Sequence, residues 1–272
     1  MEIGQTAYHR EASRLESLKN ITERYDGYGN SIRRVMEQKN REPGIKGVVA
    51  DIIHVQKDYE VAIETALGGS IQNIVTDNEQ TAKRMIGFLK KNRFGRATFL
   101  PLSNISGRGG LNQRDVLSEP GVVGTANTLV NADKEYSELV MYLLGRVLVV
   151  DNIDHAIAIG KKYRHSLRMV TIEGESLSPG GSMTGGAFKN NSNLLGRRRE
   201  IEELERSVGI LRKELEETQK SIGENRSRRN VLRDTIADFQ QKLRQQYVEQ
   251  NTAKMNIAQQ EEKAEEIRGG YE

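Results

Sequence analysis

The stretch Pro179-Gly180-Gly181-Ser182-Met183-Thr184-Gly185-Gly186-Ala187-Phe188 holds four glycines within seven residues, where a globular-looking region gives way to a long charged helix. Such a backbone adopts positive φ angles or lets another group approach closely, because glycine has no Cβ. It predicts a turn, a phosphate cradle or a contact surface. A P-loop needs Lys-Ser/Thr after its second glycine, whereas Gly186-Ala187 follows Gly185. The turn and the contact surface remain open.

The composition of the 272 residues excludes several classes of protein. With no cysteine, the chain has no disulfide framework, no zinc ribbon and no thiol nucleophile. Mean hydropathy is −0.64 and aromatic content is 5%, so we expect either long exposed helix or disorder beside a globular part. No apolar run approaches the roughly 20 residues that span a bilayer. The net charge of +3 is small, so a nucleic-acid site would need local clustering of basic residues.

Residues 1–42 predict an N-terminal coiled-coil arm. Leu15, Leu18, Thr22 and Tyr25 follow an a/d rhythm with charged residues between them. The glycines within Asp26–Asn30 predict a break in this helix, since each costs about 1 kcal/mol in a helix interior. Helix is expected to resume near Ser31 and to end before the Pro43-Gly44 pair.

Residues 43–196 predict a mixed α+β core of two similar lobes, about 43–105 and 122–188, joined by a polar connector at 103–121. A unit of helix, glycine, strand, Asp-Asn, helix and strand occurs twice, which suggests duplication. The predicted strands of the two lobes are Val48–Val55, Ile71–Thr76, Ala97–Pro101, Val147–Val150 and Leu167–Thr171. The predicted helices are Tyr59–Leu67, 77–91, Tyr136–Leu144 and 152–163.

Residues 197–272 predict a C-terminal coiled-coil arm. Apolar positions such as Ile201, Leu204, Leu211 and Leu215 begin a 3-4 spacing that continues to Ile267. Such a stripe needs a partner, and the simplest one is the N-terminal arm, as an antiparallel intrachain coiled coil that the core caps. At about 1.5 Å per residue the second arm is about twice as long as the first. We therefore expect a piece of a longer protein, whose distal C-terminal arm is frayed or pairs with another molecule.

Several motifs resemble the hinge region of bacterial SMC (structural maintenance of chromosomes, condensin) proteins. They are Tyr25-x-Gly-Tyr-x-x-x-Ile-Arg, Gly44-Ile-Lys-Gly-Val-Val-Ala-Asp, Ala62-Ile-Glu-x-Ala-Leu-Gly-Gly, Gly95-Arg-Ala-Thr-Phe-Leu-Pro-Leu, Leu143-Leu-Gly-Arg and Gly180-Gly-Ser-Met-Thr-Gly-Gly. The resemblance spans about residues 25–188, and the flanking arms match in character only. It implies a two-lobed SMC hinge on an antiparallel coiled coil.

The resemblance also implies function. Hinges of this family form homodimers through a glycine-rich segment, which corresponds here to Gly180, Gly181, Ser182, Met183, Thr184, Gly185 and Gly186. It implies a chromosome condensation and segregation ATPase, cytoplasmic and nucleoid-associated. ATP and Mg would bind in heads outside this segment, as would a kleisin and its accessory subunit, so no cofactor is expected here.

Weak, sequence-independent DNA binding at the junction of hinge and arm is a further implication. We assign it to the basic residues Lys90, Lys91, Arg93, Lys189, Arg197, Arg198 and Arg199. Two alternatives require no DNA. Cations at a helix C-terminus complement its dipole, and the three arginines could pair with the glutamates that follow them.

Catalysis is not expected. The four histidines are scattered without metal-ligand spacing, and Asp77, Asp151 and Asp154 stand where helix capping explains them. Two other interpretations remain open. One is a cohesin- or condensin-type hinge that forms heterodimers, and the other is a small α/β enzyme with coiled-coil arms.

Overall fold

The computed structural model describes residues 2–107, 109–186 and 194–269, with no side-chain description of Glu2 and Gly269. Lys189 therefore lies outside the described residues. The chain divides into two compact units. His9–Val208 form one unit, and the other combines the start of the chain through Tyr8 with the segment from Gly209 onward. No described helix is long and apolar enough to cross a membrane.

The secondary structure alternates helices with short strands. The α-helices are α1 (Glu2–Glu23), α2 (Asn30–Met36), α3 (Val49–Ile52), α4 (Glu60–Leu67), α5 (Glu79–Asn92), α6 (Ser137–Leu144), α7 (Ile153–Lys162) and α8 (Leu194–Gly269). The strands are β1 (Ile45–Val48), β2 (His54–Val55), β3 (Ile74–Thr76), β4 (Phe99–Pro101), β5 (Val122–Thr125), β6 (Val130–Asn131), β7 (Val147–Val150), β8 (Arg168–Thr171), β9 (Ser176–Leu177) and β10 (Met183–Thr184).

The first lobe contains a three-stranded sheet in the order β1-β3-β4. Strand β3 is fully buried and runs parallel to β4 and antiparallel to β1. The prediction of one strand over Val48–Val55 is wrong. The carboxylate of Asp51 accepts a hydrogen bond from the N–H of Val48 at 3.4 Å, and this contact supports a turn of helix between β1 and β2. The predicted strand over Ile71–Thr76 is shorter than expected, because Gly68–Gln72 form a 3-10 helix.

The second lobe contains a five-stranded sheet in the order β10-β9-β8-β7-β5. Its parallel pair β7 and β8 is joined by α7, as β3 and β4 are joined by α5. Both helices begin at an asparagine cap. The side chain of Asn78 accepts from the N–H groups of Gln80 and Thr81, and that of Asn152 accepts from the N–H of His155. The repeated unit expected from the sequence is present.

One of two hydrophobic clusters extends across both lobes. Val147 and Val149 on one face of β7 join the cluster that contains Ile63 of α4 and Leu139 of α6. On the opposite face, Leu148 and Val150 pack with α7, as the two-residue period of a strand requires. The centre of the second sheet is therefore covered on both faces.

The α1 and α8 helices are antiparallel neighbours. Within the larger unit, Arg197 of α8 donates to the carbonyl of Asp26, just after α1, and the later Glu205 pairs with the earlier Lys19, whose Nζ lies 2.5 Å from Glu205 Oε1. Within the smaller unit, a Cβ on Gly4 would lie 3.4 Å from Leu215 Cδ2. The helices differ greatly in length, with 22 residues in α1 and 76 in α8. This arrangement is the antiparallel intrachain coiled coil that the heptads predict, with α8 beginning at Leu194 rather than 197.

Candidate functional site

The glycine-rich segment forms one edge of the second sheet. Strand β10 pairs antiparallel with β9, with Met183 opposite Leu177 and Thr184 opposite Ser176. No strand among the described residues lies on its other side. All seven residues from Gly180 to Gly186 are exposed, and 53% of Met183 is accessible to solvent. An edge strand of this kind presents unpaired N–H and C=O groups.

The tight turn before β10 needs its glycines. Gly180 and Gly181 have φ angles of 90° and 93°, which side chains with a Cβ rarely adopt. The N–H of Gly180 donates to the carbonyl of His165 at 2.8 Å, and the N–H of Ser178 donates to the carbonyl of Ser182 at 2.9 Å. The turn that the sequence left as one alternative is thus present, and the exposed edge strand β10 follows it in the same hairpin.

A second regular edge lies in the first lobe. Strand β4 ends the first sheet, and its only strand neighbour among the described residues is β3. The other outer strands of the three-stranded and five-stranded sheets, β1 and β5, each carry a register shift, between Ile45 and Gly47 and between Val122 and Gly124. Bulges turn an edge away from further pairing. Each of these two sheets therefore has one edge suited to pairing and one that is not. The sequence predicted strand β4 but not its edge position.

The predicted basic residues of α5 are exposed. Lys90 and Lys91 lie in its last turn, and Arg93 follows as a left-handed C-cap with φ of 56°. Among the described residues, no carboxylate lies within ion-pair distance of these three side chains. Cations in this position complement the helix dipole and remain free to contact a phosphate.

The three consecutive arginines of α8 contact the first lobe instead of pointing freely into solvent. Arg197 Nη1 donates to the carbonyl of Asp26 at 3.0 Å, and Arg198 donates to the carbonyl of Asp51. Arg199 forms an ion pair with Glu60 and a second, at 2.7 Å, with Glu203. These contacts join the first turns of α8 to the hinge core, which is a structural role that the sequence reasoning did not assign.

A pair of tyrosines lies at the break between α1 and α2. Tyr25 has a positive φ of 52°, and its hydroxyl donates to Asp51 Oδ2 at 2.9 Å. The Tyr25 and Tyr28 rings meet edge-on with centroids 5.2 Å apart. Burial raises the pKa of both hydroxyls, and the nearby Asp51 carboxylate raises each further. Because Asp51 also accepts from Val48 and its carbonyl accepts from Arg198, this residue links both arms to the first lobe.

Two glutamates of α4 hold the start of α8, and sequence reasoning missed both. Glu64 Oε1 accepts a hydrogen bond from the N–H of Leu194 at 2.8 Å. One turn earlier, Glu60 is 4% exposed and pairs with Arg199. Burial raises the pKa of Glu64 from 4.5 to about 7. The sequence signal that could have identified them is the i, i+4 spacing of two carboxylates within an otherwise largely apolar helix.

Comparison with known proteins agrees with this architecture. The family model described as the SMC proteins flexible hinge domain matches residues 42–160. The chromosome partition protein Smc of Lactiplantibacillus plantarum is 41% identical over 202 residues, which cover 73% of this chain and 17% of that protein. The protein of the same name from Bacillus subtilis is 42% identical over 200 residues, which cover 72% and 17%. The chain thus spans under a fifth of the length of these relatives.

A solved structure shows the same fold. The SMC hinge domain of Geobacillus stearothermophilus, crystallised as an asymmetric dimer, has a TM-score of 0.74 and 34% sequence identity, covering 80% of this chain and 89% of that one. The matched domain is a hinge and not an enzyme domain, so the alternative of a small α/β enzyme is wrong. This chain belongs to the hinge-domain family of the SMC proteins.

Proposed function

We propose that this chain is the homodimerisation hinge of a chromosome-organising SMC protein and joins two coiled-coil arms. The observation that carries the proposal is the pair of regular, unbulged edges, β4 in the first lobe and β10 in the second. If β10 of one copy adds to β4 of another, each copy offers one edge of each kind. Two copies then form a closed dimer through two equivalent β10–β4 contacts, as two-fold symmetry requires.

The shape of the β10 edge supports this mode of contact. The flanking Gly185 and Gly186 carry no Cβ, so a partner backbone can approach them closely. Among the described residues, nothing lies within 4 Å of a Cβ built on Gly186, which leaves space there for a neighbour. The related Geobacillus stearothermophilus hinge crystallised as a dimer, which also favours self-association.

Cysteine crosslinking tests this arrangement, because the natural chain has no cysteine. We expect a Thr98→Cys/Thr184→Cys variant to form covalent dimers on mild oxidation, since Thr98 directly precedes β4 and Thr184 lies in β10. Each single variant should form far fewer. If the double variant stays monomeric on a denaturing gel while it remains folded, the proposed pairing of edges is wrong.

We further propose weak, sequence-independent DNA contact through Lys90, Lys91 and Arg93. Their exposure and their lack of carboxylate partners among the described residues support this assignment. Lys189 stays in the proposal on its position in the sequence alone. The engaged guanidinium groups of Arg197, Arg198 and Arg199 contribute positive field at the junction more than direct phosphate contacts.

The similarity of the chain to longer relatives allows a proposal for the whole protein. Since they are chromosome partition proteins of much greater length, we propose that the hinge belongs to an ATPase of the bacterial nucleoid. ATP, Mg, a kleisin and its accessory subunit would bind at heads outside this segment, and the hinge itself would need no cofactor. A heterodimerising hinge of the cohesin type is the second candidate, but the two self-complementary edges favour a homodimer.

A further inference from the structure

A cavity in the second lobe lies next to the turn that begins the glycine-rich segment, since Pro179 is one of its lining residues, and contains none of the proposed DNA-contacting residues. It has a volume of about 320 Å³, at the small end of the range for small-molecule sites. The connector segment Gly110–Gln113 forms one wall, and Arg146, Ser166 and Arg168 form the other. Arg146 ends the Leu143-Leu-Gly-Arg motif, in which Leu144 is buried in the core whereas Arg146 is exposed.

The charge of the cavity is one-sided. Arg146 directly precedes β7 and Arg168 is the first residue of β8, so two adjacent parallel strands start with a guanidinium at the same end of the sheet. No acidic residue is among the described residues that line the cavity. Two unopposed cations in one concave site favour an anion with more than one negative charge.

Both guanidinium groups are held in place by backbone carbonyls. Arg146 Nε donates to the carbonyl of Gly109 at 3.2 Å, and Arg168 Nη2 donates to the carbonyl of Ala66 at 2.9 Å. Each contact uses one N–H of the guanidinium group and leaves its other N–H donors for a ligand. Arginine held in this way binds tetrahedral or planar oxyanions through paired hydrogen bonds at little further cost in entropy.

The connector supplies neutral donors beside these charges. Within the described part of the chain, the N–H groups of Gly110, Leu111 and Asn112 donate to no backbone carbonyl. Across the cavity, the hydroxyl of Ser166 donates to the carbonyl of Tyr163 at 2.7 Å and lies 3.4 Å from Gln113 Oε1. Successive unpaired N–H groups beside cations are a common feature of phosphate sites.

We propose that this cavity binds a phosphoryl group, with Arg146 as its principal anchor and Arg168 and the connector amides as supporting donors. The proposal does not rest on self-association or on the DNA contacts of α5. The phosphoryl group belongs either to a free phosphate compound or to a nucleic-acid backbone, since both present the same oxygens to the two arginines.

Calorimetric titration with inorganic pyrophosphate tests the site. We expect the natural chain to bind pyrophosphate and the Arg146→Gln variant to bind about tenfold or more weakly, because the variant loses charge-assisted hydrogen bonds to the ligand. The affinity of Arg146→Lys should be intermediate, since lysine keeps the positive charge but lacks the planar set of guanidinium N–H donors. Arg212→Gln, the same change on an exposed arm residue, is the matched control and should bind like the natural chain.

A short DNA duplex distinguishes the two sources of the phosphoryl group. If Arg146→Gln also weakens duplex binding, the site takes backbone phosphates, and if duplex affinity is unchanged, it takes a free phosphate compound. Either result supports the site when pyrophosphate affinity falls. The proposal is overturned if the natural chain gives no pyrophosphate binding, or if folded Arg146→Gln binds as tightly as Arg212→Gln.

Discussion

The carboxylate of Glu64 accepts a hydrogen bond from the backbone N–H of Leu194 at 2.8 Å, and Leu194 is the first residue of the long helix α8. The orphan N–H groups at a helix N-terminus are usually satisfied by a local side chain or by water. Here a buried glutamate from α4, 130 positions earlier in the sequence, does so. The start of the C-terminal arm is thus built into the hinge core.

Replacing Glu64 with glutamine should make the protein's stability less dependent on pH. Because burial raises the pKa of Glu64 from 4.5 to about 7, its stabilising contribution is complete below pH 4.5 and is lost as pH rises through 7. We expect the natural chain to lose on the order of 2–3 kcal/mol relative to Glu64→Gln over that window, since one pKa unit corresponds to about 1.4 kcal/mol. Denaturant unfolding at several pH values measures the difference.

The control for that experiment is Glu216→Gln, which removes an exposed carboxylate from the arm. The unfolding free energy of this variant should follow that of the natural chain at every pH. Parallel curves for Glu64→Gln and the natural chain would show that the Glu64 carboxyl titrates as an ordinary exposed group.

Removing Arg199 should destabilise the larger unit strongly. The side chain of its partner Glu60 is only 6% exposed, so Arg199→Ala leaves a buried carboxylate without its ion pair. Loss of one member of a buried pair costs about 3–5 kcal/mol. Arg212→Ala, which breaks the exposed pair with Glu216, should change the unfolding free energy little. Chemical denaturation of both variants makes the comparison.

A double variant separates the ion pair from the packing of the arginine stem. In Glu60→Gln/Arg199→Ala the buried charge is gone, so much of the stability lost in Arg199→Ala should return. Equal destabilisation by Arg199→Ala and Arg212→Ala would contradict the structural role given to Arg199.

Reversing the exposed charges of α5 should weaken DNA binding. We expect Lys90→Glu/Lys91→Glu/Arg93→Glu to lower affinity for a duplex several-fold at low salt, and to make the slope of log affinity against log salt shallower. The matched control is Arg226→Glu/Arg228→Glu/Arg229→Glu, with the same change in net charge on the arm. Fluorescence anisotropy measures both. Equal losses in the two triple variants would mean that total charge, and not α5, governs the contact.

The distal part of α8 should exchange its amide hydrogens much faster than its first turns. Leu232, Ile236, Phe239 and Leu243 lie on the heptad stripe and are each more than half exposed. A helix whose apolar stripe is not buried is marginal in water. Hydrogen exchange followed by mass spectrometry should show low protection over 219–269 and high protection over 194–208. Equal protection would show that another copy covers the stripe.

Local signals in the sequence predicted much of this fold. Asn78 and Asn152 stand where helix caps are expected, and both cap helices that join two parallel strands. The heptad pattern predicted an antiparallel pair of helices of unequal length. The prediction of one strand over Val48–Val55 was wrong because it was based on the β-branched residues alone. It did not take into account Asp51, whose carboxylate stabilises the helical turn between β1 and β2. The turn depends on a single side-chain contact that hydrophobic patterning does not report.

The junction was harder to predict because its contacts join residues far apart in sequence. Arg199 was an expected DNA contact, yet its ion pair with Glu60 spans 139 positions. Likewise, the glycine pattern identified the segment at β10, but β4 became a candidate only when sheet order showed it at an edge. Edge position and long-range pairing depend on tertiary structure, so neither can be read from one segment alone.

The molar mass in solution tests the central claim, self-association through the β10 edge, most directly. Light scattering after size exclusion should give the natural chain about twice its single-chain mass of 30.6 kDa. Met183→Glu places a charge on the exposed β10 edge and should give 30.6 kDa, whereas Val123→Glu on the bulged β5 edge should leave the dimer intact. A monomeric natural chain, or a Met183→Glu variant that remains as dimeric as Val123→Glu, would contradict the account.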